Sequence, residues 1–373
     1  MGGLDARTMG ERIAEARGRA SMTQAELASA VGLDRSALAK IEIGVRRVTA
    51  LELSRIAEAV DERIEWFVYD APPAVVSHRN LRDPGAPSPE IDRVIERTAR
   101  NVEFLQEHDR MFAPQVIQGL RRPSSLEEAE ARASEVRQAL GLNQTQPIVN
   151  ASSVGNKVGL LAFSFDLGPQ GADAASILLE HGAIVLINGH LHNGRRRMAL
   201  AHEWGHCLFA DAYTVDWRVA ENDDSREWEA CLDRFARALL LPAEGVAESW
   251  REATEDEGSL RTASVLLGSK FRVDMSTLAR RLIELGHIDR SGGVEVRSVR
   301  TTKADFVEFN LLNHDELKPP ELPKQYEESV LRLFRQEIVS PACATDLLFD
   351  TWSEDDLPVL PALPENAIWN FVS

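Results

Sequence analysis

The sequence predicts an α+β fold, mostly helical: an all-α unit at the N-terminus, a larger body holding a small antiparallel sheet, and a C-terminal helical segment. Three observations predict it. Helix-start signals crowd into the first 60 residues, two long apolar segments lie between 156 and 188, and apolar residues recur at helical spacing through most of the remaining chain. With 373 residues, 44% of them hydrophobic and 27% charged, the chain can bury more than one core, and two or three domains are expected.

The same composition excludes other classes. Cys207, Cys231 and Cys343 are too few and too scattered for a disulfide framework and point to a reducing compartment. No apolar run approaches the roughly 20 residues that span a bilayer. The N-terminus carries acids and no apolar stretch of a secretory signal, so a cytoplasmic protein without membrane contact is expected. A net charge of −17 argues against nucleic acid as the partner of the whole chain. The charge is unevenly spread, however. Residues 1–60 hold nine basic and eight acidic side chains, a net of +1, which leaves −18 to the rest.

The first predicted domain is 1–70. Thr8 with Glu11, Thr23 with Glu26 and Thr49 with Glu52 have capping-box spacing, so three short helices are expected. Between them, Leu27 and Val31 share a helix face, Gly32 supplies a turn, Asp34 can cap the next helix, and Leu38 and Ile41 return to the same core. That is the layout of a helix-turn-helix. Its second helix would expose Arg35, Ser36 and Lys40 to base edges and phosphates, Gln24 opens the first helix at a phosphate-facing position, and Arg46 and Arg47 come just after. The acidic Glu42 and Glu52 are expected to dilute this basic face.

Residues 71–124 are expected to be a linker and a connecting helix: RDPGAPSPE is Pro-rich and turn-forming, and Ile91, Val94, Ile95, Val102 and Leu105 have mostly helical spacing. The domain from 125 to 290 begins with a Ser-capped helix. It continues through NKVGLLAFSFDL and AASILLEHGAIVLIN, read as two apolar strands around a His-Gly turn, and then becomes helical from Arg197 to about Leu285. SGGVEV near 292 reads as a break, and 291–373 as a helical segment with a Pro-rich, acidic tail.

The strongest chemical signal is AHEWGHCLF. His202 and His206, four apart on a helix, project from one face one turn apart, and Glu203 lies about 100° round, where it can address a metal-bound water. Catalytic zinc takes three protein ligands and leaves one position open. In REWEACLDRFARALLLP, Glu229 and Asp233 also share a face. A carboxylate at Glu229 can complete the ligand set, and Asp233 can accept the free N–H of a ligating histidine. Glu227 is a rival ligand; Glu229 is preferred because it stands four residues before Asp233, a spacing similar to the Glu-x-x-x-Asp pair of gluzincin peptidases.

These residues carry two resemblances. TQAELA, Gly32 and RSALAKIEIGVRR resemble the Xre family of phage-repressor-like regulators, with Thr49 where that family often has Pro. This implies binding to a double-stranded DNA operator through residues 23–47, and a homodimer, since such domains usually act in pairs. RRRMALAHEWGHCLFAD with EACLDRFARALLLP resembles the ImmA/IrrE metallopeptidases over roughly residues 130–290, with Met198, Ala199 and Leu232 replacing the usual Phe, Thr and Ala. The resemblance implies Zn2+ held by His202, His206 and Glu229, Glu203 as the acid–base group, and Asp233 behind a ligand. It also implies a protein substrate such as a repressor or antitoxin. A transcription factor whose peptidase-like domain only senses or dimerises is the alternative. Tyr213, His190 and His192 are candidates by type for stabilising the oxyanion.

Overall fold

The computed structural model describes residues 5–20, 22–60, 62, 64–68, 76–79, 89–114, 120–169, 171–209, 223–255, 259–312 and 315–360. Its contacts divide the chain into two units, Met1–Pro73 and Ala74–Ser373.

Five helices are described in the first unit: α1 (Ala6–Arg19), α2 (Gln24–Val31), α3 (Arg35–Glu42), α4 (Ala50–Ala59) and α5 (Ile64–Val68). Thr23 and Thr49 cap α2 and α4 in complete boxes with Glu26 and Glu52. The box expected at Thr8 does not form. Asp5, an equally good capping acceptor three residues earlier, takes the Thr8 amide at 2.8 Å and starts α1 there, while Glu11 pairs with Arg7 at 3.0 Å. Asp34 is the N-cap of α3 without a side-chain bond, and Gly32 ends α2 in the left-handed region. Leu27, Val31, Leu38 and Ile41 turn inward together with Ile13, Ile56 and Phe67 to make the core of this unit.

The second unit is built on a sheet of four strands, β1 (Val76–Arg79), β2 (Leu160–Phe165), β3 (Ala174–Leu178) and β4 (Ala183–Asn188), in the order β1-β3-β4-β2. The expected antiparallel sheet is therefore mixed. The His181-Gly182 turn joins β3 to β4 as an antiparallel hairpin, whereas β2 lies beyond β4 and runs parallel to it. One sequence segment supplied both strands of the hairpin, and the connection 166–173 carries the chain from β2 past the end of β4 before β3 begins.

Side chains alternate across a strand, and here both faces are covered. Leu160, Ala162, Val185 and Ile187 enter one core; Leu161, Phe163, Ile184 and Leu186 enter the other. The first core holds α7 (Leu126–Ala139), α9 (Asn193–Phe209), α10 (Asp223–Leu240), α12 (Leu260–Phe271) and α13 (Met275–Glu284), with the short α8 (Ala151–Asn156) and α11 (Ala243–Glu255) beside them. Ser125 caps α7, as its sequence suggests.

Two expectations are corrected in this unit, and the C-terminal segment gains a place in the core. The helix read as a connector is α6 (Pro89–His108), and Ile91, Ile95, Ala99, Val102 and Leu105 are all buried in the second core. Its apolar stripe needed a partner that the local sequence does not contain. SGGVEV is no break but part of α14 (Arg290–Ser298), capped by Asp289, and a Cβ at Gly293 would meet the tip of the Ile283 side chain of α13. The C-terminal helical segment, over its described residues 315–360, also contributes to the second core. After α15 (Lys303–Glu308), α16 (Lys324–Arg335) and α17 (Pro341–Leu347) place Tyr326, Val330, Leu333 and Leu347 in the second core, and Glu321 forms a bridge with Ser164 on the outer edge of β2.

Asp109 ties α6 to α16. Its buried carboxylate accepts from Ser329 Oγ at 2.6 Å and from Arg332 at 2.7 and 2.9 Å. Burial works to raise its pKa; Arg332, Ser329 and the Met111 amide outweigh this and hold it below the ordinary carboxylate value. A lowered folded-state pKa contributes stability that is complete above about pH 4 and is lost as pH falls through the folded value. Asp109→Asn should therefore cost about 1.5–3 kcal/mol at pH 7 and less at pH 3. Urea titrations at the two pH values check this, and an equal loss at both would contradict it.

Candidate metal centre

The arginine triplet fixes the helix that carries the motif. Arg195 holds Asp173 through bonds of 2.9 and 2.8 Å. Arg196 donates to the carbonyls of Gly189 and Leu191 and meets Asp315. Arg197, fully buried, pairs with Glu316 and donates to the Ile148 carbonyl at 2.7 Å. The first turn of α9 is thereby clamped to the sheet and to the C-terminal segment. Further along the helix, Gly205 lets α10 come close: a Cβ there would lie 2.6 Å from Leu232 Cδ2. The close approach of α10 brings Glu229 and Asp233 to the histidines.

His202 is buried, His206 is partly exposed and Glu229 is half-exposed. His202 Nε2 lies 3.1 Å from Glu229 Oε2, and His206 Nε2 lies 3.6 Å from Glu229 Oε1. One ligand atom from each of the three residues falls within 4.8 Å of the other two, and no other such group of three occurs among the described residues. Ligands about 2.0–2.1 Å from a tetrahedral zinc ion stand about 3.3 Å apart, so the donor set fits that ion. His202 Nδ1 lies 3.0 Å from Asp233 Oδ1, which directs the ring's Nε2 lone pair to the cluster. Burial tends to raise the Glu229 pKa, but a hydrogen bond from His202 and the positive charge of the two histidines in their protonated form outweigh it and hold the carboxyl below its usual value. Glu227, the rival ligand, is exposed and outside the cluster.

Glu203 is wholly buried, and its Oε2 accepts from Ser176 Oγ at 2.6 Å. Ser176 lies on β3, buried, and sequence reasoning passed over it. The signal was present as a hydroxyl on an otherwise apolar strand, but only the tertiary structure aims it at Glu203. Cys207 is buried beside them, and burial pushes its thiol well up, as befits an unreactive core residue. Of the oxyanion candidates, His190 is exposed with Nδ1 at 3.3 Å from Asp166, and His192 is exposed just before α9; neither joins the cluster. Tyr213 lies outside the described residues.

In the N-terminal unit, Arg35, Ser36, Lys40 and Arg47 are exposed on or just beyond α3. Two of the expected contact residues are engaged within the unit. Gln24 donates to Glu42 at 2.7 Å, and Arg46 meets Glu52 at 2.6 Å. Glu42 does not dilute a basic face: it is buried and held by Arg17 at 2.6 Å, and Glu52 is matched by Arg46.

Fold and motif together define the class: a helix-turn-helix carried on one chain with a peptidase-like domain of the His-Glu-x-x-His type. Residues 13–67 match the helix-turn-helix family, and residues 156–283 match the IrrE N-terminal-like domain. The chain is thus an Xre-like helix-turn-helix fused to an ImmA/IrrE-like domain. No curated protein matches it.

Proposed function

We propose that this chain is a DNA-binding transcriptional regulator whose second unit is a zinc-dependent endopeptidase acting on a repressor or antitoxin-like protein. The observation that carries the reading is the convergence of His202, His206 and Glu229, with Asp233 behind His202, on a chain that also presents a helix-turn-helix. His202, His206 and Glu229 would hold the zinc, and a zinc ion there supplies a Lewis acid that acidifies water and polarises a carbonyl. Asp233 keeps His202 in the tautomer that offers Nε2. Glu203 takes a proton on its carboxylate and returns it to the leaving amine, with Ser176 fixing its rotamer. The test is metal analysis of the purified protein and co-expression with a repressor encoded beside it. Stoichiometric zinc and a discrete cleavage product support the reading; zinc-free protein with intact substrate overturns it.

One observation favours a second reading, in which the domain senses or dimerises without turnover. The Glu203 carboxylate is fully buried against β3. That reading predicts operator binding that responds to zinc and is indifferent to Glu203→Gln.

On DNA, Arg35 and Arg47 should behave differently. Arg47→Ala removes a phosphate contact, so it weakens binding to all sequences and lowers the salt slope by about 0.9. Arg35→Ala removes a contact to a base edge, so it costs about 1–3 kcal/mol on the operator and relaxes specificity at one base pair. Fluorescence anisotropy on operator and scrambled duplexes over a salt series separates the two; identical losses on both duplexes would refute the assignment of Arg35.

A further inference from the structure

Behind the centre, α7, α10 and α13 bring three carboxylates and three guanidinium groups together. Glu130 takes Arg234 at 2.9 Å and also pairs with Arg281. Glu284 lies 3.2 Å from Arg234 and accepts from Nε and Nη2 of Arg237, both at 2.9 Å. Arg237, only 8% exposed, places its remaining nitrogen Nη1 3.7 Å from Asp233 Oδ2. The other oxygen of Asp233 faces His202 Nδ1. A line of alternating charge therefore runs from Glu284 through Arg237 and Asp233 to His202, one of the three candidate ligands.

We propose that Arg237 is a positioning residue of the metal centre: anchored by two bonds on Glu284, it holds the Asp233 carboxylate on His202 and so sets how tightly the three ligands grip zinc. The inference rests on the metal reading above. Two features separate this role from that of a strut between helices. Arg234 supplies the same bracing, joining α10 to α7 through Glu130 and to α13 through Glu284. Arg237 makes the pair that reaches Asp233. Partners one shell behind a zinc ligand commonly change affinity 10–100-fold when removed, and a group acting through such a partner should fall at the lower end of that range.

The test is zinc affinity of the full-length protein, measured by competition with a chromophoric chelator and requiring no substrate. Arg237→Met should weaken zinc about tenfold, Arg234→Met less than twofold, and Arg237→Lys, which keeps a cation beside Asp233, less than threefold. In an Asp233→Asn background, Arg237→Met should have no further effect, because its route to the metal is already cut. Circular dichroism of the zinc-free proteins verifies folding, and Arg237→Gln replaces Arg237→Met should the latter not fold, with the same expectation. Unchanged affinity in the Arg237 variant, an equal loss from Arg234→Met, or additive losses with Asp233→Asn would overturn the proposal. If the unaltered protein takes up no zinc, the metal reading itself fails and this inference with it.

Discussion

Glu203→Gln is expected to lower peptide-bond cleavage by about 10²–10⁴-fold, the usual contribution of a positioned acid–base group, while zinc uptake stays at one ion per chain. The substitution is nearly isosteric. The amide oxygen can still accept from Ser176 Oγ, which lies 2.6 Å from Oε2, so the buried contact with β3 survives. What is lost is the capacity to take a proton. Because Glu203 is not among the three clustered donors, metal binding and turnover should separate cleanly. The measurement is the cleavage rate of the co-expressed repressor alongside metal analysis of the same preparation. Wild-type rates in the variant would remove Glu203 from the chemistry; zinc lost with activity would show that it acts through the metal site.

Glu316→Ala should be the most disruptive single change outside the motif, at about 3–5 kcal/mol. It strands the Arg197 guanidinium, whose side chain is wholly buried and whose only carboxylate partner among the described residues is Glu316. It also takes away the acceptor of the Ala151 amide, 3.0 Å away. Removing both charges should be milder, since a buried ion pair replaced by apolar groups of similar volume is often neutral. Chemical denaturation should accordingly rank Glu316→Ala below the double variant Arg197→Met/Glu316→Leu in stability. If the double variant is as unstable as the single one, packing and not the unpaired charge governs this position.

The two predictions differ in how far the sequence anticipates them. His202, Glu203 and His206 are placed by helical periodicity within one helix, and Glu229 with Asp233 by the same periodicity in another. That the two helices face each other does not follow from spacing; the pairing rests on a resemblance, and in the structure the two helices approach closely at Gly205. Glu316 lies 119 residues from Arg197, and Ser176 27 residues from Glu203, distances over which no local pattern operates. The segments underestimated from sequence, residues 89–108 and 315–357, share one property: an apolar stripe whose partner is remote in the chain. The same holds for the sheet, where the turn at His181-Gly182 was legible and the parallel seat of β2 was not.

By itself, then, the residue order determined the helices that begin at Thr23, Thr49 and Ser125, the turn at Gly32, and the identity of the candidate ligands, because caps, turns and helix faces are set by side chains within a few residues of one another. Only the tertiary structure decided that the sheet is mixed and covered on both faces, that the C-terminal helices close its second core, and that Arg46 and Gln24 are engaged by Glu52 and Glu42 within the N-terminal unit. These are contacts between groups far apart in sequence, and whether a polar side chain faces solvent, a ligand or a buried countercharge is settled by which surfaces the folded chain brings together.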